Sequence, residues 1–349
     1  MNKRLKRIIN LNIEICDWKM KFIKKITLIA LSVLITGNVS AESSYWETAA
    51  VKTFVDEMVM KHQFDKAELI GWFSGASKRQ SIIDAMTRPA EAKPWKQYRP
   101  IFLTDKRITQ GVNFWQRNKK LLQEAEEKYG VPAQIIVAII GVETYYGRQI
   151  GRYPVLDALA TLGFDYPPRA KFFKKELEEF LLLVRDEKLN LKETKGSYAG
   201  AMGMGQFISS SYRQYAVDFD GDGQRNLWQT TDAIGSVANY FKRHGWAKGE
   251  PVIVRAENRG ISHEKEGRMM RPHRSVKSFR QQGLIFEPNL TSKGDEAVLV
   301  KLDGKDGIEY WIGLHNFYVI SRYNHSPKYS MAVFQLSEEI KKRMPGSSK

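Results

Sequence analysis

Hydrophobic positions recur at helical spacing through most of the chain, and this pattern predicts a mainly α-helical protein. In YWETAAVKTFVDEMVMKH, Ala50, Phe54 and Met58 follow one another at four-residue intervals. DKAELIGWFSGA predicts a second helix, with Asp65 as its N-cap and an end near Gly75. A helix from Thr109 to Tyr129 is closed by Gly130, and Pro132 then stands in the first turn of a helix over 132–146 that Gly147 ends. Residues 167–187 open with two prolines and continue as an amphipathic helix, and 232–246 is helical again. Between them, TKGSYAGAMGMGQ (194–206) is so rich in Gly and Ala that it must turn tightly or pack its backbone closely. Near Gly249 the pattern changes. EPVIVRAEN, EAVLVKLDG and IEYWIGLHNFYVIS are β-branched and aromatic and predict a small β-rich insertion over 250–315. YSMAVFQLSEEIKKRM (329–344) closes the chain as a helix. The fold class is α+β, mainly α, with no tandem repeat and no long linker.

The first forty residues follow a different logic. From Met20, MKFIKKITLIALSVLITGNVSA carries Lys21, Lys24 and Lys25, then an uncharged run from Ile26 to Gly37, then the small residues Val39, Ser40 and Ala41. That is the layout of a secretory signal cut after Ala41, with residues 1–19 as an upstream extension or a long basic n-region. A membrane anchor is the weaker reading, because a span needs about 20 apolar residues. The one cysteine, Cys16, falls before the cut. The mature chain is then expected to have no disulfide, no thiolate chemistry and no cysteine for a lipid anchor. Losing residues 1–41 removes 8 basic and 2 acidic side chains, which lowers the formal charge of the 349-residue chain from +16 to +10. A basic protein suits nucleic acid, an anionic membrane face or an acidic polymer such as a cell wall, and export argues against nucleic acid.

AIIGVETYYG (138–147) holds the first candidate for chemistry. In a helix starting at Pro132, Ile136, Ile139, Ile140 and Glu143 share one face, so an acid points where the aliphatic residues point. An ionised carboxylate is costly to bury, so it pairs with a cation or takes up a proton. A carboxylic acid kept protonated near neutral pH is what glycosidic cleavage asks of a general acid. A Glu turned to solvent at the helix end, or paired with Arg148 or Arg152, accounts for the same residues equally well. The neighbouring Tyr145 and Tyr146 offer faces on which a sugar ring can stack, though core packing explains a tyrosine pair too. No second acid sits on an apolar stripe near this motif, as a two-carboxylate glycosidase requires. Asp157 and Asp165 lie downstream in segments too irregular to place.

AIIGVETYYG, GSYAGAMGMGQF and DGDGQRNLWQTTDAIGSVANYFKRHGW together resemble the lytic murein transglycosylase B family, from about Trp46 to the C-terminal helix. The pairing of V-E-T-x-Y-G with a later G-x-M-G-x-x-Q-F carries the specificity. The resemblance implies a lysozyme-like core with a helical domain and a small β-rich domain. It divides the chain into 42–94 (helical), 95–249 (catalytic core), 250–315 (β-rich) and 316–349 (return to the core and last helix). It implies cleavage between N-acetylmuramic acid and N-acetylglucosamine without net hydrolysis, the muramyl C6 hydroxyl attacking its own C1 to leave a 1,6-anhydro sugar. Glu143 is then the lone catalytic acid and base. Ser197 is expected to bond an acetamido group and Gln206 to contact substrate near the acid. Tyr98, Arg169, Tyr240, Tyr323, Asn324 and Tyr329 are the further cleft positions. Where many relatives have proline after QF plus one residue, this chain has Ser209, which a first helical turn also tolerates.

DFDGDGQRNLWQTTD (218–232) opens as D-x-D-x-D-G, the start of a calcium loop. Asp218, Asp220 and Asp222 offer hard oxygens at alternating positions, Gly223 permits the sharp turn, and Gln224 offers its carbonyl. The usual closing Glu would stand at Gln229, and the next acid is Asp232. The resemblance implies a lengthened loop closed by Asp232 and a structural Ca2+ held by Asp218, Asp220, Asp222, Gln224 and Asp232. The metal-free alternative is an acidic turn with Asp232 as N-cap of the next helix. No His or Cys pair has zinc spacing, and no Gly-Lys-Ser/Thr marks a phosphate loop. The implied partner is the peptidoglycan glycan strand, met by a monomeric, exported protein in the periplasm of a Gram-negative-type envelope. A lysozyme-type hydrolase is the rival within the same chemistry, and a non-catalytic wall-binding protein the rival outside it. Glu143, Ser197 and Gln206 together argue against the latter.

Overall fold

The computed structural model describes residues 44–87, 93–260, 270–287, 290 and 295–346. The signal sequence expected over 1–41 lies outside them. Ser44 and everything after it belong to one unit. Among the described residues no helix is long and apolar enough to cross a membrane.

The first helices form where caps and apolar spacing agree. Helix α1 (Ala49–His62) starts on Thr48, whose side chain accepts from the Val51 N–H, and it buries Val51, Phe54, Val55 and Met58. Ala50, expected on that stripe, faces solvent. Helix α2 (Lys66–Ser74) is capped by Asp65, which accepts from the Glu68 N–H at 2.7 Å, and stops at Gly75. Helices α3 (Gln80–Met86) and α4 (Trp95–Phe102) follow. The single helix expected over 109–129 is two: α5 (Asp105–Arg117) and α6 (Lys119–Tyr129). Asn118 divides them. Its backbone N–H and its side-chain amide both donate to the Phe114 carbonyl, while its own carbonyl accepts from Leu122. A side chain that competes for backbone acceptors ends one helix and begins the next.

Helix α7 (Ala133–Thr144) is the axis of the molecule. Ten of its twelve residues are buried and only Gln134 and Glu143 are partly open, so it is apolar all round rather than on one stripe. Pro132 is its N-cap residue instead of standing in its first turn. After it come the short strand β1 (Tyr153–Pro154), α8 (Val155–Asp165), a single 3-10 turn (Pro167–Arg169) and α9 (Ala170–Asp186). Strand β2 (Lys195–Gly196) pairs antiparallel with β1 and opens the Gly-rich segment, which folds back through bridges from Gly196 to Met202 and from Met202 to Phe207. Helices α10 (Ser209–Tyr215) and α11 (Thr230–Arg243) flank the acidic loop.

The β-rich stretch is a five-stranded antiparallel sheet of β3 (Ile253–Asn258), β4 (Arg274–Ser275), β5 (Leu284–Ile285), β6 (Glu296–Gly304) and β7 (Gly307–Gly313), in the order β4-β6-β7-β3-β5. Helix α12 (Val276–Gln281) joins β4 to β5. Alternate residues of β6 enter two different cores. Val298, Val300 and Leu302 pack with Trp95, Tyr98, Phe317 and Met331, while Ala297 and Leu299 pack with Val276, Phe279 and Leu314. Burial on both faces explains why β6 reads as an almost unbroken apolar run. Helices α13 (His315–Ser321) and α14 (Pro327–Arg343) return from the sheet, and α14 packs along α7.

Candidate active site

Glu143 stands in the last turn of α7, and the chain leaves that helix abruptly. Tyr145 and Tyr146 take left-handed backbone at φ 52° and 62°, followed by Gly147 at 82°. The helix therefore stops at Thr144, before the glycine that the sequence marks as its end. Two successive non-glycine residues in this region cost of order 1–3 kcal/mol each and persist only where surrounding contacts hold them. Those contacts are present. The Tyr146 hydroxyl donates to the Arg107 carbonyl at 2.9 Å, and Arg107 Nη1 donates to the Gly141 carbonyl at 2.6 Å. The Thr144 hydroxyl donates to the Met204 carbonyl at 2.9 Å and accepts from the Gly147 N–H at 3.0 Å. The Arg107 guanidinium lies 4.8 Å from the Tyr145 ring centre and 5.3 Å from that of Phe102. Gly141 has no room for a side chain, since a Cβ there would meet the Tyr146 ring at 2.7 Å.

Glu143 is half-buried, and its Oε1 accepts a hydrogen bond of 2.5 Å from the Tyr329 hydroxyl on α14. Tyr329 is 3 % exposed. Burial, and then the charge of Glu143, push its phenol well above the usual tyrosine range, so it stays a donor at any working pH. The same two causes act on Tyr323, whose hydroxyl donates to the Gly205 carbonyl at 2.5 Å. Tyr98 does not stand on a cleft wall. It is 1 % exposed and packs in the apolar cluster of Trp95, Phe317 and Met331.

Arg169, Gln206, Tyr240, Tyr323 and Asn324, five of the positions singled out from sequence, line one cavity of about 520 Å³. Tyr240 donates to the Arg322 carbonyl, stacks on His244 at 4.0 Å and meets Tyr323 edge-on at 4.7 Å, which makes one wall aromatic. Gln206, at φ 52°, donates both amide hydrogens to backbone, to Ile150 and Gly203 carbonyls at 2.9 Å each. Its carbonyl oxygen is the part left for a ligand. Ser197 lies outside that lining; its Oγ accepts from the Ala199 and Ala201 N–H groups and shapes the Gly-rich turn. The cavity also draws on Phe172, Ser211, Arg322 and His325, which the sequence reading did not include. Phe172 carried a signal: it follows Arg169 in an aromatic doublet in which Phe173 takes the buried face and Phe172 is 36 % exposed.

Neighbouring acids are committed elsewhere. Asp157 is buried and paired with Arg79 at 2.8 Å, and Asp165 accepts from Tyr45 and Lys78 at 2.7 and 2.8 Å. Both fasten the N-terminal segment to α8. Glu176, buried on α9, accepts from the backbone N–H and the hydroxyl of Ser210 at the start of α10.

In the acidic loop, carboxylate oxygens of Asp218, Asp220 and Asp222 converge to within 4.8 Å of one another. Asp218 accepts from the Gly221, Asp222 and Gly223 N–H groups, led by Gly223, and these hold its carboxyl below the usual range. Gln224 donates its N–H to Asp222 at 2.8 Å. Asp232 is 1 % exposed and its two oxygens accept from Phe219 and Asn226, at 2.8 and 2.6 Å, across the two ends of the loop. It is the third residue of α11, whose N-cap position is Gln229, so it is not the N-cap of that helix. Burial, joined by the charges of Asp220 and Asp218, raises its carboxyl against the two hydrogen bonds.

Known proteins resemble this chain in sequence and fold. The Transglycosylase SLT domain family matches residues 47–338. Membrane-bound lytic murein transglycosylase B of Escherichia coli (strain K12) is 46% identical over 299 residues, which cover 82% of this chain and 81% of the relative. The catenated lytic transglycosylase SltB1 from Pseudomonas aeruginosa superimposes with a TM-score of 0.79 at 51% identity, over 85% of this chain and 99% of that one. The Escherichia coli lytic transglycosylase Slt35 in complex with calcium does so at 0.78 and 46%, over 84% and 93%. With a half-buried glutamate held by a tyrosine beside an aromatic cleft, and with likeness of this extent, the chain belongs to the lytic murein transglycosylase B family and is a peptidoglycan-cleaving enzyme with a lysozyme-like fold.

Proposed function

We propose that Glu143 is the single acid and base of a non-hydrolytic cleavage between N-acetylmuramic acid and N-acetylglucosamine. Glu143 gives its proton to the glycosidic oxygen as the bond to the muramyl C1 breaks. The muramyl C6 hydroxyl then bonds to C1 and returns its proton to the Glu143 carboxylate. A 1,6-anhydro sugar is formed, no water is consumed, and the enzyme regains its starting state. The observation that carries this reading is the Tyr329 to Glu143 hydrogen bond, which aims one carboxyl oxygen while leaving the group half-open, close enough to Tyr323 of the cavity wall for its charge to act on that phenol. Asp157, Asp165 and Glu176 are held in other contacts, which supports a mechanism with one carboxyl. Arg169, Gln206, Tyr240, Tyr323 and Asn324 contact the glycan, Ser197 shapes the turn beside it and bonds an acetamido group, and Tyr329 positions the acid.

Ca2+ fits the loop. Three hard carboxylates crowd within 4.8 Å, a repulsive arrangement that a divalent cation relieves. Asp218, Asp220, Asp222, the Gln224 carbonyl and Asp232 would hold it. Its contribution is charge neutralisation that stiffens the loop. The calcium complex of Slt35 supports this assignment. Export to the periplasm follows from the substrate and from the pattern at 20–41.

The test is Glu143→Gln with analysis of the fragments released from purified sacculi. The wild-type chain is expected to release 1,6-anhydro ends. The variant should lose at least a thousandfold in rate, roughly 4 kcal/mol of barrier, while still sedimenting with sacculi. Reducing ends in place of anhydro ends would make the enzyme a hydrolase, and unchanged rates would remove Glu143 from the chemistry.

A further inference from the structure

A second concave surface lies far from the cleft. Two adjoining cavities of about 270 and 470 Å³ meet at the turn after α9, where Leu189 and Asn190 line both, and are treated together as one trough. Each contains a half-buried tryptophan packed against the core, Trp228 in the smaller and Trp72 in the larger. The planar amides of Asn190, Gln224 and Asn226 edge the Trp228 end, together with Glu193 and the Arg225–Glu187 ion pair. Arg185, Lys188 and Lys192 edge the Trp72 end, where Glu68 is the lone acid. The catalytic cavity touches α9 at Phe172 and Phe173, whereas the trough lies at its far end. From Phe173 to Val184, helical residues at 1.5 Å rise separate them by about 17 Å along α9.

An aromatic face with planar amides at its rim suits a sugar ring, which offers C–H faces to the indole and hydroxyl or acetamido groups to the amides. Adjacent cations suit carboxylates. One polymer offers both at neighbouring points, an N-acetylated glycan with acidic peptides attached. From this juxtaposition we infer that the trough is a second peptidoglycan-binding site, taking a sugar ring against Trp228 and the carboxylates of its peptide at Lys188 and Lys192. The inference rests on the peptidoglycan-cleaving activity of the cleft. Two sites on one chain engage the same polymer, so the second raises retention on the wall with no change in the reacting groups.

The experiment is co-sedimentation of the full chain, in the Glu143→Gln background, with purified sacculi. Lys188→Glu together with Lys192→Glu, both at exposed positions, should weaken retention about tenfold, and Trp228→Ala by a similar factor. Raising the salt should weaken the parent and close the gap to the charge-reversed variant. If Trp228→Ala fails to fold, the exposed lysine pair decides alone. Retention within twofold of the parent for the folded variants overturns the second site. Fragments released by the wild-type chain from the same sacculi are read separately. Their absence would overturn the activity of the cleft and leave the retention result to speak for the trough.

Discussion

At the residue scale, the chemistry depends on how Glu143 is aimed. An acid in an aliphatic run was legible from sequence, because burial of a carboxyl is costly enough to stand out. Its partner was legible only as one tyrosine among several: Tyr329 lies 186 positions away, and nothing local pairs them. Nor did the local sequence announce the left-handed turn at Tyr145 and Tyr146. That turn is held by Gly141 and Arg107, and a tertiary contact decides a backbone state that the residues themselves disfavour. Tyr329→Phe separates aiming from packing, since it removes only the oxygen. A hydrogen bond to a charged group contributes about 1.5–3 kcal/mol, so kcat should fall roughly tenfold to a hundredfold. Substrate affinity should hold, because Tyr329 touches the acid and the cavity lining does not include it. Fragment release by this variant at saturating substrate is the measurement. A loss below threefold would show that α7 alone orients the carboxyl.

At the scale of elements, the helices with clear caps were read almost to the residue, as with Asp65 and Gly75 around α2. The β-rich stretch was visible because its branched and aromatic residues cluster, and its register places successive β6 side chains in two cores. The break at Asn118 was not visible: one polar residue in an amphipathic pattern gives no sign that its amide will take a backbone carbonyl. The α9–α10 junction makes a prediction about pH. Burial raises the Glu176 carboxyl above its unfolded value, against the two bonds from Ser210. A raised folded pKa means that the stabilisation is complete below the ordinary carboxylate range and is lost as pH rises through the folded value. Glu176→Gln keeps an acceptor for the Ser210 N–H, turns an amide donor toward the Ser210 oxygen, and removes the titration. Melting temperatures of both proteins between about pH 4 and pH 8 should diverge, the variant gaining on the wild type as pH rises. Divergence in the opposite sense would mean that the charged carboxylate is the form that the fold prefers.

At the scale of the whole molecule, the acidic loop and the catalytic helix are joined by backbone. The Met204 N–H donates to the Leu227 carbonyl at 2.8 Å, and the Met204 carbonyl accepts from Thr144, the neighbour of Glu143. Gly203, between the two at φ 69°, has no space for a side chain, since a Cβ would lie 2.4 Å from Leu227. On the loop side, Tyr212 donates to the Arg225 carbonyl, and Arg225 pairs with Glu187 at the end of α9. A cation that stiffens 218–232 therefore stiffens the segment carrying Gln206 and the end of α7. A ligand that binds only the folded state at a hundred times its dissociation constant stabilises it by about 2.7 kcal/mol. For a chain of this size that corresponds to a rise of roughly 4 °C in melting temperature. Stripping Ca2+ with a chelator should produce the reverse shift and slow fragment release. Asp220→Asn with Asp222→Asn should abolish the response to Ca2+ while raising the melting temperature of the chelated protein, because the same carboxylates that hold a cation repel one another without it. A melting temperature indifferent to Ca2+ and chelator in the wild type would make these aspartates a hydrogen-bonded turn, and the link through Met204 would then be a feature of packing alone.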